Sequence, residues 1–136
     1  MRCWQLILCL LFASVSFADA GSVSVRGKLT QKPGQAPTIE TADHKVIPLD
    51  GDVPTQGVLK DKRLAGADLE VRGHYTSGDV FMVDPMHTKA MSVYKDGKKS
   101  RITYWCDLCS IRTYTPGICM CCQQETQLDL RDPDKE

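Results

Sequence analysis

The residues able to do chemistry in this sequence lie close together, in the stretch YWCDLCSIRTYTPGICMCCQQE that runs from Tyr104 to Glu125. Cys106 and Cys109 form one C-x2-C pair. After nine intervening residues Cys119 and Cys122 form a second, with Cys121 lodged inside it. Each pair fits a tight turn that aims two sulfurs at one point. Two such turns complete a tetrahedron of thiolates about 2.3 Å from a metal ion. The intervening SIRTYTPGI supplies a strand and then the turn residues Pro116-Gly117, which bring the second pair back to the first. A segment this short has almost no apolar core of its own, so metal binding would supply most of its folding free energy.

Two other accounts of the same cysteines stay open. In an oxidising compartment they could pair as structural disulfides, although the five of them leave one thiol over and the adjacent Cys121 and Cys122 make poor partners for each other. A C-x2-C pair can also close on itself as a redox disulfide. Enzymes of that kind place the motif at a helix N-terminus in a βαβ fold, whereas Trp105-Cys106 ends a strand-like run. Cys121 reads either as a small buried apolar residue or as a spare thiolate that forms a C-x-C pair with Cys119, suited to a soft ion such as Cu(I).

The arrangement Y-x-C-x2-C followed by P-G-x-C-x2-C resembles a zinc ribbon or rubredoxin-type knuckle. TPGICMCC is also similar to the second half of the heavy-metal-binding modules of exported copper-handling proteins. Two departures stand out. Such knuckles usually carry proline after the first cysteine and glycine after the last, where this chain has Met120 and Gln123. The copper-type modules carry a histidine near the first cysteine, where this chain has Asp107 and Ser110. The whole block resembles the C-terminal segment of small secreted bacterial proteins of uncharacterised activity. The resemblance implies a metal knuckle and carries no activity with it.

The elements that must position these cysteines read as short strands. SVSVRGKLT alternates, with Gly27 as a bend. A turn at Ala42-Asp43-His44 divides TIETADHKVIPL into two strands, and GDVPTQG reads as a loop. Val58, Leu59 and Leu64 form one face of a short helix ended by Gly66, and DLEVRGHY is a strand bent at Gly73. In DVFMVDP, Val80 and either Phe81 or Met82 point inward. Residues 90–94 and 101–105 make a hairpin around Asp96-Gly97. The order strand-strand-strand-helix-strand-strand, with DKRLAGADLEVRGHY and DVFMVDP at its end, resembles an exported OB-like barrel, the oligonucleotide/oligosaccharide-binding type. The expected fold class is therefore mainly β: an OB-like barrel over 21–103, a zinc-ribbon-like knuckle over 104–130 and a disordered tail over 131–136.

Residues 1–20 read as a signal peptide. A basic start at Arg2 precedes the apolar run LILCLLFASVSF and a small-x-small cleavage site at Ala18 to Ala20. The run is shorter than the roughly 20 residues of a membrane span. Cys3 and Cys9 leave with the leader, and no stable membrane insertion is expected afterwards. Removing Arg2 and Asp19 from the 17 basic and 17 acidic residues leaves a neutral mature chain. That balance argues against a nucleic-acid binder, which usually shows a basic stripe. KDGKKSR reads as a solvated turn. His44, His74 and His87 read as surface residues, although Met86, His87 and Met91 together offer copper-binding chemistry. Tyr104, Trp105 and Tyr114 are expected around the sulfurs, with Arg112 stacked on one of them.

No Ser-His-Asp grouping, phosphate loop or His-Glu metal helix is present, so no enzyme is expected. The resulting expectation is a periplasmic or secreted binding or scaffold protein. Cys106, Cys109, Cys119 and Cys122 are its metal ligands, with Cys121 as an extra thiolate, and zinc is favoured over copper or iron. The alternative is an exported copper or heavy-metal-trafficking or thiol-redox protein that uses the same cysteines. The sequence names no protein partner.

Overall fold

The computed structural model describes residues 21–135; the expected leader, with Cys3 and Cys9, lies outside the described residues. Five strands close a barrel. They are β1 (Val23–Thr30), β2 (Thr38–Glu40), β3 (Val46–Asp50), β4 (Asp68–Tyr75) and β5 (Phe81–Val83). β1 pairs with β2 and β4, β2 with β3, and β4 with β5, all antiparallel; β3 and β5 close the ring in parallel, with Leu49 opposite Phe81. Round the barrel the order is β1-β2-β3-β5-β4, with helix α1 (Val53–Leu59) between β3 and β4. This is the connectivity expected of an OB-like barrel.

Alternation builds the core. Val25 and Leu29 point inward from β1, Leu69 and Val71 from β4, and Phe81 and Val83 from β5, all buried with Ile39, Ile47 and Leu49. Two inward positions hold glycine because two strands cross there. A Cβ on Gly27 would lie 2.1 Å from the Glu40 carbonyl oxygen, and one on Gly73 would lie 2.0 Å from that of Met82. Gly73 stands where β4 passes from its partner β6 (Met91–Lys95) to β5, so the bends expected at both glycines are barrel corners.

Helix formation begins earlier than expected. GDVPTQG is not a loop. Asp52 caps α1 by accepting from the Thr55 N–H, and Pro54 sits in the first turn, where its missing N–H costs nothing. Val58 and Leu59 are buried from α1, but Leu64 belongs to a separate 3-10 turn, Lys62–Leu64, capped by Asp61. The single helix expected over these residues is thus two pieces, each with its own aspartate cap. Of the DVFMVDP residues, Phe81 and Val83 are fully inward, while Val80 and Met82 are half-buried.

Beyond the barrel the sheet continues outward. A short helix, α2 (His87–Ala90), leads into β6, which pairs with β4 and turns through Asp96-Gly97 into β7 (Lys98–Cys106). Both turn residues take positive φ, 51° and 75°, as a two-residue type I′ turn requires. Along its outer half β7 is flanked by β8 (Ile111–Thr113) on one side and β9 (Gln127–Arg131) on the other. The boundary expected at 103/104 falls inside β7, so barrel and cysteine segment share a strand. Arg131 still pairs with Arg101, and Pro133–Lys135 forms a 3-10 turn, within the stretch 131–136 where a disordered tail was expected.

Candidate metal centre

β7 ends on the first of the four cysteines. Tyr104 and Cys106 share a face of the strand; Tyr104 is fully buried in the barrel core, and Cys106 follows one pleat later, at 3% exposure. The chain turns through 107–110 and returns as β8, with Cys106 opposite Ile111. The second turn is framed by the Ile118–Glu125 bridge. Within it the Cys119 N–H donates to the Gln124 carbonyl at 2.8 Å and the Gln123 N–H to the Cys119 carbonyl at 3.0 Å. Thr126 closes the loop, donating to the Gly117 carbonyl through both its N–H and its hydroxyl, at 2.9 and 2.8 Å.

The two turns are built alike. In the first, the N–H groups of Cys109 and Leu108 point at the Cys106 sulfur; in the second, those of Cys122 and Cys121 point at the Cys119 sulfur. The residue after each pair, Ser110 and Gln123, takes positive φ, 53° and 61°. This left-handed conformation is the one for which such knuckles ordinarily use glycine. A serine and a glutamine in this conformation therefore carry local strain.

The sulfurs of Cys106, Cys109, Cys119 and Cys122 all lie within 4.8 Å of one another, and those of Cys106 and Cys122 are 3.5 Å apart. A tetrahedron of sulfurs around a metal has edges of roughly 3.8 Å, whereas a disulfide needs about 2.05 Å. The five described cysteines are free thiols. Four of them form a group that could hold a metal ion. Cys106 and Cys119 are buried, and Cys109 and Cys122 are half-buried.

Backbone N–H donors, from Cys122 first and then Cys121, lower the Cys119 thiol to about 7. Cys106 also receives such a donor, from Cys109, but burial and the neighbouring Cys122 and Cys119 thiols leave its pKa raised. Cys109 is raised, chiefly by its interaction with the Cys121 thiol and then by burial. Of Cys106, Cys109 and Cys119, only Cys119 is thus favoured as the thiolate.

Cys121 lies outside the four. It is exposed, not the buried apolar residue that was one expectation, and its thiol bears on Cys109 from the rim. Arg112 stacks on Trp105, 4.9 Å from the ring, and donates to Thr103 Oγ1 at 2.6 Å and Asp129 at 2.7 Å, tying β8, β7 and β9 together. Tyr114, expected around the sulfurs, is 41% exposed. The histidines stay outside the group as expected. His44 bonds Glu40, His74 is exposed, and His87 Nε2 contacts the Tyr114 carbonyl at 2.7 Å. Met91 is buried in the core and Met86 is 60% exposed, so the methionines flanking His87 are divided between core and solvent.

The residue that fastens the second turn to the barrel was not among those expected to act at the site. Arg63 is held by Asp61 at 2.9 Å, lies 5.1 Å from the Tyr104 ring and donates to the Thr126 carbonyl at 2.6 Å. The DKR turn was the available signal, because Asp61 accepts from the Arg63 N–H and so fixes the arginine's direction. Pro116 rests over α1 beside Gly57, where an added Cβ would meet its ring at 3.8 Å, an ordinary contact.

No protein-family model, curated protein or solved structure matches the chain. The site is therefore read from its own geometry. Among the described residues no helix is long and apolar enough to cross a membrane.

Proposed function

We propose that this is an exported, non-enzymatic binding or scaffold protein in which Cys106, Cys109, Cys119 and Cys122 hold a structural zinc ion. One observation carries the reading: four sulfurs within 4.8 Å of one another, on two matched turns. An all-sulfur tetrahedral set suits zinc or iron-sulfur chemistry, and zinc is the redox-inert choice. With every ligand supplied by the chain, the arrangement is that of a closed structural site, with no position left for a substrate. The ion would cross-link two turns that few other contacts join, and the basic-apolar-small pattern of residues 1–20 supports export. Metal analysis and thiol counting on protein recovered from the periplasm test this. We expect about one zinc per chain, retained in Cys121→Ser and lost in Cys119→Ser. Metal-free protein with its four cysteines oxidised would overturn the reading.

The second reading, an exported copper-trafficking or thiol-redox protein, is favoured by the exposed Cys121, whose thiol bears on Cys109, next to an 89% exposed Met120. Those two residues would offer soft donors at the surface of the site. This reading predicts that Cys121→Ser abolishes Cu(I) binding or disulfide exchange while the fold is unchanged.

A further inference from the structure

A groove of about 1230 Å³ opens on the barrel, between the β1–β2 loop and the end of α1, and no residue of the cysteine turns lines it. Its wall is fastened from both sides. The Gln31 side-chain amide donates to the Leu59 and Asp61 carbonyls, both at 2.8 Å, which holds the loop against the helix. The Leu49 N–H donates to the Pro37 carbonyl at 2.8 Å, and Pro33, Pro37 and Pro48 stiffen the lining. The groove is therefore preformed and largely apolar, as ligand sites usually are.

Its rim carries Lys32, Lys60 and Lys62, all exposed, and among the described residues none has a carboxylate partner. The one carboxylate of the lining, Asp50, already accepts from the Gly51 N–H at 2.7 Å and from Gln56 Nε2 at 2.6 Å. In a chain whose formal charge is zero, this is a local positive field over an apolar floor. No aromatic side chain lines the groove, so it offers no platform for stacking bases or other flat rings.

We propose that this groove binds a small amphipathic anion, with an alkyl body lying along Pro37, Pro48 and Val80 and an anionic head among Lys32, Lys60 and Lys62. Desolvation of the alkyl body supplies the affinity, and the lysines select the sign of the head group. This site stands independently of the metal centre.

The test is a titration of the full chain with dodecanoate below its micelle concentration, followed by amide resonances. Dodecyltrimethylammonium and a short single-stranded oligonucleotide serve as comparison ligands. Saturable shifts confined to residues 31–37, 48–50, 56–65 and 80 are expected, weakening as ionic strength rises. Reversing two rim charges in Lys60→Glu/Lys62→Glu should weaken binding at least about tenfold. The same charge change placed elsewhere, Lys89→Glu/Lys98→Glu, should alter it by less than about twofold. Lys32→Glu reads out the rim a second time from the loop side, in case the double variant folds poorly. Equal affinity for the cationic amphiphile, tighter binding of the oligonucleotide, or shifts scattered outside the groove would overturn the proposal.

Discussion

The barrel and the cysteine turns share strand β7, yet they are held together by different physics. The barrel buries Leu29, Ile39, Leu49, Leu69, Val71 and Phe81 almost completely, and its shape follows from alternation and two crossing glycines. The turns show the reverse. Leu108, Ile118 and Met120 are 75%, 61% and 89% exposed, and the buried residues there are mainly the sulfur-bearing Cys106 and Cys119 with Thr126. Apolar area stabilises the first region. In the second, four convergent sulfurs stand where a core would be. The lesson is that one strand can carry a fold from a region fixed by burial into a region where four sulfurs converge that could hold a metal ion, with Tyr104 and Cys106 as consecutive residues of one face.

The largest expected effect breaks the comparison at the sulfurs. Cys106→Ser, or chelation of the wild type, removes a site whose binding free energy is on the order of 10 kcal/mol. Amide dispersion should collapse for residues 107–126 while barrel resonances persist. Dispersion retained in both regions would mean that the turns have a sufficient core of their own. Next comes the barrel itself. Phe81→Ala empties a fully buried site and should cost about 3–5 kcal/mol in denaturant unfolding. Metal stoichiometry of the folded protein should stay unchanged, and its loss would show that the two regions form one cooperative unit.

Arg63→Ala tests the joint between them. It strips the Thr126 carbonyl of its donor and leaves the buried Asp61 without its ion-pair partner, still holding the N–H of residue 63, at a cost of about 1–3 kcal/mol. Burial opposes ionisation of Asp61, but the Arg63 side chain and N–H outweigh it and hold the carboxyl below its usual range. The ionised form therefore stabilises the fold above the ordinary carboxylate range, and that contribution is lost as pH falls through the lowered value. Arg63→Ala should consequently begin acid unfolding at a higher pH than wild type, followed by circular dichroism. The smallest effect is a gain. Ser110→Gly relieves a left-handed residue and should stabilise by about 1 kcal/mol, read as a higher unfolding midpoint.

Legibility in the sequence follows the same division. Barrel strands announced themselves through period-two alternation, as in Val25 and Leu29, and the β6–β7 hairpin through Asp96-Gly97. Helix α1 was hidden because Pro54 and Gly57 gave its segment the composition of a loop; the decisive signal was the Asp52 cap acting on Thr55. β9 was within reach, since Leu128 and Leu130 alternate and pack against the core, but the charged RDPDKE that follows has the composition of a frayed end. At the metal centre the doubled spacing identified the four sulfurs. What it could not convey is backbone conformation and exposure. Nothing in Ser110 or Gln123 as residue types announces positive φ, and Cys121 comes out exposed only because the Cys119 turn directs it outward.

The most direct test of the account is X-ray absorption at the zinc edge, on the full chain purified without added metal. Four sulfur scatterers at about 2.3 Å, unchanged in Cys121→Ser, are predicted. A signal dominated by nitrogen or oxygen neighbours, or no zinc on a chain whose mass shows two disulfides, would contradict it.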